Sequence, residues 1–73
     1  MQDIIFGKVT ITLNEAIKKS GLSKNKVANL AQMQRTQLNN YCKGEVQRID
    51  LAILARLCNA LNCEVSDILQ YKK

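Results

Sequence analysis

Residues 22–44, "LSKNKVANLAQMQRTQLNNYCKG", decide how this chain folds. Ser23 is a good N-cap, and Val27, Leu30 and Ala31 behind it share one side of a helix. That helix is only about nine residues long, so it needs tertiary packing to persist. Leu38, Tyr41 and Cys42 recur at i, i+3 and i+4, which predicts a further helix from about Gln34 to Lys43, with Gly44 placed to stop it. Two short helices joined by a tight turn must approach closely where they cross. Ala28, ten residues ahead of Leu38, supplies the small residue for that crossing.

The side of the 34–43 helix away from Leu38, Tyr41 and Cys42 is unusual. Arg35, Thr36, Asn39, Asn40 and Lys43 share it, with Gln34 and Gln37 at its flanks and no acid among them. Asn and Thr are mediocre helix formers, and lysine or glutamate would solubilise such a face better. Amides bring paired donors and acceptors instead. The major groove of duplex DNA presents the complement: Asn or Gln pairs bidentately with adenine, Arg with guanine, and the Thr methyl meets the thymine methyl. The plainer reading is an ordinary polar helix face.

Outward from this centre, residues 4–13 ("IIFGKVTITL") are β-branched and aromatic, with alternation over 9–13. They read as a short strand or extended arm, whose partner is either the C-terminal "ILQYKK" or a second chain. Thr12 and Glu15 have capping-box spacing for a first helix. Leu13, Ala16 and Ile17 form its inner face, and Gly21 ends it. Asp50 caps a fourth helix, with inner residues Leu51, Leu54, Leu57, Cys58 and Leu61, and this wide stripe marks the central packing helix. Val65, Ile68 and Leu69 predict a short fifth helix.

The totals agree with one domain. The 73 residues carry a net charge of +5, and 47% of them are hydrophobic. Between Glu15 and Glu45 there is no acid, while Lys18, Lys19, Lys24, Lys26, Arg35 and Lys43 fall in that window. Such a segregated positive field suits a polyanion, although a solvated basic face gives the same composition. Cys42, Cys58 and Cys63 lack zinc-finger spacing, and there is no histidine to complete a site. Three free thiols in a cytoplasmic protein is the simplest reading, with Cys58 and Cys63 as inert core residues and Cys42 as packing. No metal or other cofactor is expected. No apolar run approaches the roughly 18 residues of a membrane span, and no secretion signal is evident. The six acids are scattered, with no two at helical spacing on one face beside a cavity, and no glycine-rich phosphate loop appears. An enzyme is not expected.

The stretch 22–44 resembles the helix-turn-helix unit of the phage repressor and Cro-like (Xre-type) DNA-binding proteins. The resemblance extends through "IDLAILARLCNALNCEVSDIL", similar to that family's fourth and fifth helices, and covers roughly residues 13–70. The matching pieces are Val27-Ala28, Leu38, Tyr41, Gly44 and the packing helix "LCNALNC". It implies an all-α fold, a five-helix repressor-like domain over 12–73; the short strand or arm read above from the residues themselves precedes it over 1–11. It also implies a recognition helix in the major groove and a preceding helix across the backbone. On matching positions Arg35, Thr36 and Asn40 would face base edges, with Gln34 and Asn39 at the margin on bases or phosphates. Lys24, at a helix start, would touch phosphate, and Lys43 and Arg48 are further phosphate candidates. Gln32 stands where the family has a turn glycine, which leaves room for a turn of another shape. Gln34 replaces a favoured serine, Lys26 a frequent acid, and Cys42 a frequent glutamate.

The resulting expectation is a sequence-specific double-stranded DNA-binding transcriptional regulator of repressor type, acting as a homodimer; whether binding represses or activates follows from operator position. The alternative is a protein-interaction module, such as an antitoxin-like or anti-repressor partner, using the same fold with Ile4, Ile5 and Phe6 as an adhesive strand. RNA ranks below both, because its major groove is too narrow for a reading helix. Tyr41 is expected in the core rather than stacked on a ligand. The tail Tyr71, Lys72, Lys73 is open between a frayed end, a strand partner for the arm, and phosphate contacts.

Overall fold

The structure is a computed structural model and describes residues 6–44 and 46–73. Ile4 and Ile5 of the expected arm lie outside the described residues. The element order is β1 (Lys8–Ile11), α1 (Leu13–Ser20), α2 (Lys24–Ala31), α3 (Arg35–Lys43), α4 (Leu51–Leu61), α5 (Val65–Ile68) and β2 (Leu69–Lys72). The five expected helices are present, and the strand's partner is the chain's own C-terminal segment. β1 and β2 pair antiparallel, Lys8 opposite Lys72, Val9 opposite Tyr71, Thr10 opposite Gln70 and Ile11 opposite Leu69.

Local chemistry sets most helix ends. The Ser23 hydroxyl accepts from the Lys26 N–H at 3.1 Å. One Asp50 carboxylate oxygen accepts from the N–H groups of Ala52 and Ile53, at 2.7 and 3.2 Å. Gly21 and Gly44 take the left-handed conformation that closes α1 and α3. Gln32 takes it too, with φ 55° and ψ 48°, so the α2–α3 turn keeps the left-handed shape without glycine. A residue with a Cβ loses about 1–2 kcal/mol there. The compensation is visible. The Gln32 N–H donates to the Asn29 carbonyl at 3.2 Å and the Met33 N–H to the Ala28 carbonyl at 2.9 Å. These are the paired bonds of a Schellman end, and they carry Met33 into the core.

Thr12 does not cap α1. Its hydroxyl donates to the Asp67 carbonyl at 2.9 Å and its N–H to the Ile68 carbonyl at 2.6 Å, tying the entry of α1 to α5. A capping carboxylate occurs instead at the single turn of α5, where Asp67 accepts from the Glu64 N–H at 2.9 Å.

α4 is the packing helix, in contact with α1, α2 and α5. Its buried face is Ile53, Leu54, Leu57 and Leu61. Leu51, expected inside, is 76% exposed, while Cys58 is only half-buried. On a 3.6-residue wheel Leu51 lies roughly 100° from the centre of that face, beyond the edge of the buried stripe. Leu30 of α2 is offset by the same angle from Val27, Ala28 and Ala31 and is 46% exposed. Val65 is likewise exposed, leaving Ile68 as the buried residue of α5.

Candidate nucleic-acid interface

α3 is held to the core by Leu38 and Tyr41, which are buried, while Cys42 is half-buried beside them. With those residues inward, Arg35, Thr36, Asn40 and Lys43 are exposed on the opposite side. Gln37 and Asn39 sit half-buried at its edges. Gln34 is the N-cap residue in extended conformation, and its side chain makes no capping bond, so the amide stays free at the head of the helix.

α2 presents its N-terminus beside this face. Lys24 is its first residue and is half-buried, and Lys26 is exposed. Burial pushes the Cys42 thiol above its ordinary pKa, and the Lys24 ammonium and Arg35 guanidinium pull it back. One cation from α2 and one from α3 therefore converge on the same patch. Arg35 is also gripped directly. Its Nε donates to Asn39 Oδ1 at 3.3 Å, and its Nη1 donates to Asn25 Oδ1 on α2.

Lys43 stands at the far end of α3. Arg48 lies beyond Gly44, in the segment leading to α4, where it lines a cleft of about 550 Å³ together with Lys8, Val9, Val46, Ile49 and Leu69. Among the expected phosphate contacts, Lys24 thus sits at the head of the α3 face and Lys43 and Arg48 at its foot. Asn25, bonded to Arg35, and Lys8, beside Arg48 in the cleft, were not singled out from the sequence. Asn25 was findable: it lies ten residues before Arg35, the same offset that relates Ala28 to Leu38 at the helix crossing, one turn earlier on both helices.

Two of the described acids lie away from this face. Glu15 and Asp67 line a second cleft, of about 270 Å³, between α1, the end of α4 and α5, with Lys19 among them and no residue of α3. Glu64, three residues from Asp67, is not part of the cleft's lining, and the Asp67 carboxylate is engaged as a helix cap. Cys63 borders the same cleft. Burial raises its pKa, and the Cys58 thiol and the Asp67 and Glu64 carboxylates raise it further. A thiol so disfavoured as thiolate is a poor nucleophile. Cys58 and Cys63 bracket the left-handed Asn62 that ends α4, with the Cys63 N–H donating to the Cys58 carbonyl at 3.0 Å. They occupy the two positions whose side chains meet in a Schellman end, so packing accounts for them.

Among the described residues no helix is long and apolar enough to cross a membrane. No curated protein matches this chain significantly. Among solved structures it is similar to a Bacteroides fragilis protein, described as a candidate DNA-binding protein. The two share 11% sequence identity and a TM-score of 0.75, over 86% of this chain and 100% of that one. At that identity the likeness concerns the fold. A family profile for the Cro/C1-type HTH DNA-binding domain matches residues 12–73, which takes in every helix and the whole of the α3 face. The chain belongs to the Cro/C1-type helix-turn-helix DNA-binding family.

Proposed function

We propose that this protein is a sequence-specific double-stranded DNA-binding transcriptional repressor that reads the major groove with α3. The observation that carries this reading is the exposed Arg35, Thr36 and Asn40 row, backed by buried Leu38 and Tyr41 on the same helix. In this reading Arg35, Thr36 and Asn40 contact base edges, and Gln34 and Asn39 lie at the margin. Lys24, Lys43 and Arg48 contact phosphates at either end of the face. Phosphate contacts supply most of the affinity and fix the register, and base contacts supply selectivity.

One such module spans only a few base pairs. A homodimer on an inverted repeat, with half-sites about 34 Å apart, is the natural arrangement. Selection of bound sequences from a random duplex pool tests both points. A palindrome is the expected product, and recovery of no motif would refute base reading. A dimer touching about eight phosphates gives a log–log salt slope near −7 on random duplex.

A second reading, a protein-interaction module on the same fold, draws on exposed Phe6, Val9 and Tyr71 along the β1–β2 ribbon. It predicts a flat salt response instead.

A further inference from the structure

The contact between α2 and α3 at Arg35 has a chemistry that the base-reading proposal leaves unused. A guanidinium has five N–H donors in a planar fork. Here two amide oxygens from two different helices occupy two of its edges: Asn39 accepts from Nε at 3.3 Å, and Asn25 accepts from Nη1. Both partners are neutral. A carboxylate in either place would hold Arg35 as well but would cancel its field, and it would repel the phosphates on either side. Amide oxygens orient the group and leave its charge intact.

The donors that remain matter. With Nε engaged, the fork formed by Nε and Nη2 along the side of the group is closed. One N–H on Nη1 and both on Nη2 stay free. We take the Asn25 bond to use the Nη1 hydrogen on the Cδ side, which leaves the end-on pair, Nη1 with Nη2, as the open fork. That pair matches the O6 and N7 acceptors of guanine in the major groove. Asn25 stands in the second position of α2, so the brace spans the turn and ties the fork's direction to the packing of the two helices.

We propose that Asn25 and Asn39 are positioning residues that lock Arg35 for end-on recognition of guanine. This inference rests on Arg35 reading a base, as proposed above. Without the brace the long side chain must be ordered at the moment of binding. Ordering one such side chain lowers affinity by about 2- to 10-fold. That factor applies only where Arg35 is used, so it appears as lost discrimination.

A double-mutant cycle tests it. Parent, Asn25→Ala, Arg35→Ala and the double variant are titrated with the selected operator and with the operator whose guanine under Arg35 is replaced by adenine. Arg35→Ala should cut the guanine preference by about 5- to 150-fold. Asn25→Ala should cut it by about 2- to 10-fold in the parent and leave it unchanged in the Arg35→Ala background. In the free protein, exchange of the Arg35 Nε–H with water, read by NMR, should quicken in Asn39→Ala and in Asn25→Ala. An unchanged preference in Asn25→Ala, an equal loss in both backgrounds, or an unaltered Nε–H signal overturns the brace. If Arg35→Ala itself selects the parent motif, base reading by Arg35 fails first and the brace's role falls with it. The free-protein NMR result distinguishes the two failures, because it needs no DNA.

Discussion

α3 and α4 are neighbours in the chain and similar in length, yet they spend their side chains in opposite ways. α4 buries Ile53, Leu54, Leu57 and Leu61 and touches three other helices. α3 buries Leu38 and Tyr41 and turns the rest of its surface to amides, a hydroxyl and cations. The difference shows how a chain this small divides its work. One helix concentrates the apolar area that opposes chain entropy, which frees another to carry residues poor in helix propensity and useless to the core. Substitutions in α4 should therefore move stability, and those on the outer side of α3 should move recognition.

The largest expected effect is on the packing side. Leu57 is fully buried, and Leu57→Ala should destabilise the fold by about 2–5 kcal/mol in urea titration, enough to leave a marginal domain partly unfolded. A loss below 1 kcal/mol would mean that α4 is not the centre of the core. On the reading side, Arg35→Ala should reduce base discrimination by about 1–3 kcal/mol while the melting temperature stays nearly constant. Selection of the same motif by both proteins would erase the contrast between the helices. Lys24→Ala should weaken binding to every duplex alike and flatten the log–log salt slope by about one unit. Loss restricted to one sequence would place Lys24 on a base instead. The smallest change sharpens the comparison at the turn between α2 and α3. Gln32→Gly relieves a positive-φ side chain and should stabilise by about 0.5–1 kcal/mol, with DNA affinity unaltered. A lower melting temperature would show that the Gln32 side chain contributes more than its backbone strain removes.

What could be read from the sequence follows the range of the forces involved. Ser23, Asp50, Gly21 and Gly44 act within a turn of their own position, and each does what local chemistry predicts. Thr12 had equally good local credentials, but a carbonyl 55 residues away takes its hydroxyl. Leu30 and Leu51 were expected inside because apolar spacing defines a stripe without defining its edges. Which side of the stripe meets a neighbour is settled by packing. The outer row of α3 was legible because amides there serve neither the core nor helix propensity, even though Asn39 also holds Arg35. Asn25 was legible only through its ten-residue offset to Arg35, because by itself an Asn near a helix start looks like ordinary surface. The α2–α3 turn went the other way. Gln32 left its shape open, and the buried Met33 that follows closes it in the usual left-handed form.

The antiparallel ribbon brings residue 8 opposite residue 72, and Thr12 is bonded across to α5. Gly7 belongs to the same seam: a methyl group there would strike the Tyr71 hydroxyl, which donates to the Phe6 carbonyl at 2.9 Å. Seized by its two ends in an optical trap, the molecule would be loaded in the unzipping direction, one rung at a time. The first rung is a pair of facing lysines, which already repel. The strands should part at low force and ahead of the helices, and rejoin last, since they join the most distant positions along the sequence.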